Sequence, residues 1–221
     1  MIPLQFALRR RMMIAGGGRV PISDLPLGTL IRIIYSDGGK GVADYEIADI
    51  NNLVSGGVVL VRKNIHSNSA FGSTDNYPNG TLDNLIKTTI YNNMPQQLRD
   101  KMMDVTFELY GYGDITRKMF ALTYTMMGCG NNEEVAEGKA LQLYTSNASR
   151  VKTFNGSAGE WWLSSIMPEY NFVWYIETVG FASDTGRPSL DVFGVVPAFV
   201  IPSDTPYDPT PNTDGSYNLT L

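Results

Sequence analysis

The chain has 221 residues, of which 43% are hydrophobic and 18% charged, so it can form one domain with a substantial core. Its 22 acidic side chains outnumber the 17 basic ones, which gives a net charge of -5. This balance argues against nucleic acid as a partner, because neutralising phosphates requires a basic face. No apolar run approaches the ~20 residues that span a bilayer, so we expect no membrane insertion.

The residue types that support common enzyme chemistry are scarce. Cys129 is the only cysteine and His66 the only histidine, which excludes an internal disulfide, a multi-cysteine zinc site and any site with two histidine ligands. We therefore predict no enzyme, no catalytic residues, no metal and no cofactor. Glu133, Glu134 and Glu137 could offer oxygen ligands to Ca²⁺, but a solvated acidic loop explains them as well, and that choice stays open.

Residues 1–20 carry a basic triplet followed by three glycines. A secretory signal places its charge before its apolar stretch, and here the order is the reverse, so we predict no signal peptide and synthesis in the cytoplasm. Leu4, Leu8 and Met12 recur with helical spacing ahead of the glycines. The pattern predicts a flexible docking arm, with a disordered terminus as the alternative, and its assembly residues are Arg9, Arg10 and Arg11.

Strand patterns dominate residues 26–61, where three apolar runs are separated by turn residues, including a Ser-Asp-Gly-Gly turn at 36–39. Two short helices are predicted next, at 81–90 and 94–103. Further strands are expected at 105–110, at 118–124 and between 161 and 201. The sequence thus predicts an α+β fold over residues 21–202. Residues 203–221 are rich in proline and polar residues and predict a flexible C-terminal tail.

Aromatic residues are concentrated in the last third of the chain. Neighbouring residues of a strand face opposite sides, so the Trp161-Trp162 pair should place one indole in the core and the other on an opposite surface or a partner. The segment from 170 to 189 then combines aromatic and polar side chains with a turn-rich stretch. This pattern is typical of a recognition surface, and also of a core strand followed by a polar turn. The candidate contact residues are Tyr170, Asn171, Trp174, Tyr175, Asp184 and Arg187.

Several of these motifs resemble those of the DUF6273 family. The sequence WWLSS at 161–165, Val179-Gly180 and GVVPAFVI at 194–201 are similar to the closing pattern of that family, WWLRS, then G, then GVRPAF. Weaker likenesses occur at 28–31, 80–85 and 119–122, so the resemblance covers roughly residues 25–202. It implies a C-type-lectin-like fold with short helices and antiparallel strands, which is also seen in formylglycine-generating enzymes and in receptor-binding proteins of some phages.

The departures from the family pattern restrict what the resemblance implies. Ser164 and Val196 stand where the family usually has arginines, so no paired-arginine role is carried over. The cysteine pair of formylglycine generation and the sugar motifs of calcium-dependent lectins are missing. The opening residues 6–13 are similar to the start of phage and prophage structural proteins that carry this domain.

The resemblance therefore implies a phage virion protein of tail or decoration type, located in the virion. Its outward domain would serve adhesion or host recognition, and its partners would be other virion proteins, a host-surface glycan or protein, and further copies of itself in a homo-oligomer. A purely structural capsid or tail component without a host ligand is the alternative. A glycan hydrolase that uses Glu169 and Asp184 as its carboxylate pair is a distant third hypothesis.

Overall fold

The computed structural model describes residues 19–35, 41–74, 76–167 and 169–221. The strands found there, in chain order, are β1 (Val20–Pro21), β2 (Leu30–Ile34), β3 (Val42–Ile50), β4 (Gly57–Arg62), β5 (Asn68–Ala70), β6 (Val105–Leu109), β7 (Gly113–Arg117), β8 (Met119–Ala121), β9 (Lys152–Phe154), β10 (Ser157–Gly159), β11 (Trp161–Met167), β12 (Phe172–Ile176), β13 (Ala182–Gly186), β14 (Val192–Gly194), β15 (Pro197–Pro202), β16 (Pro206–Tyr207) and β17 (Tyr217–Asn218). The helical segments are α1 (Thr81–Asn84), which continues as a π-helical stretch over Leu85–Ile90, α2 (Gln96–Lys101), α3 (Asn147–Arg150) and a 3₁₀ turn at Ile22–Asp24.

The fold is β-rich, with 39% strand against 13% helix, and the predicted α+β, C-type-lectin-like fold is therefore wrong. The described α-helices have only four to six residues each. Helices of this length cannot form a layer of their own, because each buries only one or two side chains. The strands instead form two main sheets, and the helical segment 81–90 contacts β5 of one sheet and β8 of the other.

The larger sheet has six strands in the order β17-β2-β3-β4-β15-β8. Its antiparallel run β2-β3-β4 confirms the three strands predicted within residues 26–61, which form a meander, while the predicted turn at 36–39 lies outside the described residues. Strand β15 pairs with β4 on one side and β8 on the other. The central strands β4 and β15 are buried along almost their whole length, since both faces of this sheet are covered.

Both predicted helical regions form. Leu82, Ile86 and Ile90 are fully or almost fully buried and recur every four residues, so one stripe of this segment faces the core. The buried carboxylate of Asp83 accepts hydrogen bonds from Arg117 Nη2 at 2.8 Å and Lys87 Nζ at 3.0 Å. Because Arg117 ends β7, this ion pair fixes the helical segment to the β6-β7 hairpin.

The second main sheet has five strands in the order β13-β12-β11-β14-β5. Trp161 and Trp162 on β11 are 0% and 1% exposed, so both indoles are buried, although they point to opposite faces. The Trp161 indole N–H donates to the carbonyl of Arg150 at 3.2 Å, and that of Trp162 donates to the carbonyl of Ser69 at 2.8 Å. The expectation that one of the two would lie on an outer surface is wrong, because this strand is covered on both sides.

Ser164 and Val196, which replace the family arginines, are buried at 0% and 1% exposure. The hydroxyl of Ser164 donates to the carbonyl of Ala121 at 3.0 Å, and its backbone N–H donates to the carbonyl of Leu122 at 2.8 Å. Ala121 belongs to the six-stranded sheet. Ser164 therefore connects the two main sheets, a position in which an unpaired arginine would carry a large desolvation penalty.

Residues 203–221 belong to the folded body, so the predicted flexible C-terminal tail is wrong. Strand β16 pairs with β1, and β17 adds a parallel strand to β2. Tyr207 is 2% exposed and its ring lies against Tyr217, with 5.3 Å between the centroids. The segment lacks apolar residues for a core of its own, but two aromatic anchors and an open sheet edge let it fold against the domain.

Candidate binding surface and cavity

Tyr170 and Asn171 form the turn between β11 and β12. Tyr170 is 66% exposed, and its backbone N–H donates to the carbonyl of Met167 at 3.1 Å. Asn171 has φ of 54°, a left-handed conformation that asparagine adopts more readily than most residues. The turn is therefore locally fixed and presents the tyrosine ring to solvent.

Arg187 is exposed but paired. Its Nη2 donates to Asp191 Oδ1 at 2.9 Å, and its backbone N–H donates to Asp191 Oδ2 at 2.7 Å. The hydrogen bonds from Arg187 lower the pKa of the Asp191 carboxyl, so the pair is ionised at neutral pH. The pairing of Arg187 with Asp191 thus stabilises the loop between β13 and β14.

Trp174 is half-buried and belongs to a polar network beneath the sheet. Its indole N–H donates to Asn132 Oδ1 at 2.9 Å, and its ring lies over Tyr124 with 4.0 Å between the centroids. The amide group of Asn132 in turn donates to Glu137 Oε1 at 3.1 Å and to the carbonyl of Ile166 at 2.9 Å. These contacts give Trp174 a structural role.

Tyr175 and Asp184 are half-buried as well. The Tyr175 ring lies 4.5 Å from that of Phe193 and 6.3 Å from that of Trp162, on the face opposite Trp174. Burial raises the pKa of Tyr124, and the Asp184 carboxylate adds to this shift. Of the six predicted contact residues, Tyr170, Asn171 and Arg187 are exposed and the other three are partly buried. Arg9, Arg10 and Arg11 lie outside the described residues.

Glu169 is held by a tyrosine of the β6-β7 hairpin. Tyr110 Oη donates to Glu169 Oε1 at 2.6 Å, and this hydrogen bond lowers the pKa of the carboxyl. A general acid in glycan hydrolysis needs the opposite shift. The electrostatics of Glu169 therefore give no support to the hydrolase hypothesis.

The acidic loop is divided between solvent and core. Glu133 and Glu134 are exposed, whereas Glu137 is fully buried and accepts hydrogen bonds from Ser165 Oγ, Asn132 Nδ2 and the backbone N–H of Tyr110. Burial raises the pKa of the Glu137 carboxyl. Both carboxylate oxygens thus have protein donors, and the described part of the chain contains no group of three or more His, Cys, Asp or Glu side chains that could hold a metal ion.

Exposed apolar side chains are concentrated in one segment of the chain. Ten large hydrophobic residues are exposed in the part of the chain that the structure describes, and five of them lie between 170 and 192. Their exposed fractions are 66% for Tyr170, 65% for Val179, 57% for Phe181, 68% for Leu190 and 58% for Val192. We call these five residues the apolar surface set.

A cavity of about 320 Å³ opens beside this set, within the size range of small-ligand sites. It lies where the β9-β10 hairpin meets the edge of the five-stranded sheet. The lining residues are Ile65, Asn68, Phe154, Ser157, Ala158, Gly159, Glu160, Thr178, Val192 and Phe193. The sequence did not reveal this site, because its residues come from four separated segments and form no motif.

Among the described residues that line the cavity, Glu160 has the only charged side chain. Burial raises the pKa of its carboxyl, and the negative charges of Glu177 and Asp191 raise it further. The Glu160 carboxylate has no hydrogen-bond or ion-pair partner among the described residues.

Among the described residues, no helix is long and apolar enough to cross a membrane.

Comparison with known proteins identifies the family but no activity. No curated protein matches the chain, and no solved structure matches it, so nothing supports the lectin-like fold that the resemblance implied. The model of the family described as "Domain of unknown function (DUF6273)" matches residues 55–203, which includes the closing motifs on β11 and β15 and excludes the weak likeness at 28–31. Because this match covers about two thirds of the chain, the chain belongs to the DUF6273 family.

Proposed function

We propose that the chain is a structural and binding protein of a phage or prophage particle that attaches to a protein on the host surface. The observation that carries the binding role is the concentration of half of the exposed large hydrophobic side chains in residues 170–192. These side chains lie in the loops and at a strand end of the five-stranded sheet, and exposed apolar surface on such loops marks interaction sites. The likeness of residues 6–13 to phage structural proteins supports the virion context.

The support beneath the apolar surface set is rigid, as a binding surface requires. The strands β11, β12 and β13 pair in sequence, and the rings of Trp162, Tyr175 and Phe193 pack together behind them. Aliphatic side chains such as Val179 and Leu190 favour a protein partner over a glycan, because glycan binding depends on hydrogen bonds and flat aromatic faces.

A purely structural role is the second candidate, in which the same apolar surface set is buried against another virion protein or another copy of the chain. The amount of exposed aliphatic surface favours this role equally, since interfaces between subunits are the more apolar kind. The two candidate roles differ in the partner of the apolar surface set, which is a host protein in the first and a virion protein or another copy of the chain in the second. An experiment can distinguish these partners.

The test compares two matched double variants in particles assembled with each. Val179→Ser/Leu190→Ser removes two members of the apolar surface set, and Ile34→Ser/Val42→Ser removes two aliphatic residues of similar exposure on the other sheet. We expect the first variant to assemble normally and lose at least ten-fold in binding to host cells, with the second unchanged. Loss of incorporation would establish the structural role, and normal behaviour in both assays would overturn both candidates.

A further inference from the structure

The cavity beside the apolar surface set has a fixed shape. A Cβ atom on Gly159 would lie 2.7 Å from Ile65 Cδ1, and one on Gly194 would lie 2.8 Å from the same atom. These two glycines let the strands that frame the cavity close onto Ile65. On another side Phe193 is held by its ring contacts with Trp162 and Tyr175, at 4.5 Å each. These contacts define the walls of the cavity.

The charge of the cavity is entirely negative. Glu160 lines it, and Glu177 precedes the lining residue Thr178. Asp191 is neutralised by Arg187, but neither glutamate has a cationic partner within the described ranges, and no basic residue lines the cavity. A half-buried carboxylate without a partner is stabilised strongly by a cation that replaces the lost water.

The remaining lining residues suit an organic cation. Phe154 and Phe193 line the cavity, and their rings suit the apolar carbon skeleton of an amine. Asn68, Ser157 and Thr178 supply oxygen acceptors for the N–H groups that Glu160 does not engage. A hard metal ion would require more oxygen ligands than this lining presents, and its apolar walls would contribute nothing to metal binding.

We propose that this cavity binds the primary ammonium group of a small amine, with the Glu160 carboxylate as its anionic acceptor. The ammonium group donates a charge-assisted hydrogen bond to Glu160, while the carbon skeleton of the amine lies against Phe154 and Phe193. The same chemistry is offered by a free amine and by a lysine side chain of another protein. The proposal goes beyond the virion role: Val192 belongs to both the apolar surface set and the cavity lining, but the acceptor Glu160 lies outside that set.

The experiment measures binding of n-pentylamine to the full chain at pH 7 by calorimetry and by NMR shift changes, with n-pentanol as the neutral analogue. We expect the amine to bind at least ten-fold more tightly than the alcohol, and Glu160→Gln to remove this preference. Glu134→Gln, which changes an exposed glutamate outside the cavity, is the matched control and should bind the amine as the parent does. A lysine-containing peptide and its norleucine analogue form a second arm that separates the two sources of the ammonium group.

A second variant guards against indirect effects of Glu160→Gln. Ala158 is exposed on β10 and lines the cavity, so Ala158→Phe should fill the space without disturbing the core and should abolish amine binding. Equal binding of amine and alcohol, or undiminished amine binding in Glu160→Gln, would overturn the proposal. Neither result bears on host attachment, which is measured with different variants.

Discussion

The hydrogen bond from Trp174 Nε1 to Asn132 Oδ1, 2.9 Å long, ties the five-stranded sheet to the loop that carries the acidic residues. Asn132 is fully buried and uses its amide group to reach both Glu137 and the carbonyl of Ile166. One side chain thus satisfies three polar groups from three segments. Such buried networks stabilise a fold only when every member has a partner.

Replacing Asn132 by alanine should therefore destabilise the domain markedly. The change leaves the Trp174 indole N–H and one oxygen of Glu137 with fewer partners in a buried site, and each such loss costs about 1–3 kcal/mol. We expect a decrease in the free energy of unfolding of about 2–4 kcal/mol, measured by urea denaturation. Asn131→Ala, at the exposed neighbouring position, should change it by less than about 0.5 kcal/mol, and equal effects of the two changes would contradict the network.

Glu137 should make stability depend on pH in a defined direction. Burial raises the pKa of Glu137 in the folded chain above 4.5, the ordinary value that applies in the unfolded chain. At a pH between the unfolded and the folded pKa, the folded chain therefore holds a proton that the unfolded chain has released. The contribution of this group is therefore fully present below pH 4.5 and is lost as the pH rises through the folded pKa. Glu137→Gln cannot titrate, so its stability relative to the parent should increase across that window and then level off.

The measurement for Glu137 is the free energy of unfolding of the parent, Glu137→Gln and Glu134→Gln at a series of pH values from 4 to 8. Glu134 is exposed, and its variant should follow the parent at every pH. If the free energies of unfolding of the parent and Glu137→Gln differ by the same amount at every pH, the Glu137 carboxyl has the same pKa in the folded and unfolded chain, which contradicts the prediction.

The two tryptophans of β11 should contribute similarly to stability, although they face opposite ways. Each is at most 1% exposed and each indole N–H has a backbone acceptor. Trp161→Ala and Trp162→Ala should each lower the free energy of unfolding by about 3–5 kcal/mol. Trp162→Phe should lose less, because the phenyl ring retains contact with Phe71 and Phe193. If either alanine variant unfolds like the parent, its face of the strand is not core.

Strand β11 shows which features of this structure the sequence predicts and which it does not. Alternation correctly placed Trp161 and Trp162 on opposite faces, but it could not show that both faces are covered, because the covering residues come from Arg150 on one side and Ser69 on the other. The short helices and the first meander were predictable, since each depends on neighbours within a few residues. The fold class was not, because it depends on how many distant strands pair.

The candidate site shows the same limit. Tyr170, Asn171 and Arg187 are exposed, as expected for residue types that favour turns, and their role as contact residues stays a prediction. Trp174 is half-buried, and no local pattern could reveal its acceptor Asn132, which lies 42 positions away in the sequence. The sequence could not predict that Glu160 lines a cavity, because a single glutamate before a strand is common and forms no motif.

The C-terminal segment provides the last prediction. Tyr207 is 2% exposed, pairs through β16 with Val20 of β1, and packs against Tyr217. Tyr207→Ala should lower the free energy of unfolding by about 3–5 kcal/mol, because it opens a space between the first and last strands that neither can fill alone. Tyr112→Ala, at a tyrosine that is 40% exposed on the β6-β7 turn, should lower it by less than about 1 kcal/mol. Chemical denaturation of both variants decides the matter: if Tyr207→Ala is no less stable than Tyr112→Ala, residues 203–221 do not stabilise the domain and the segment is a tail after all.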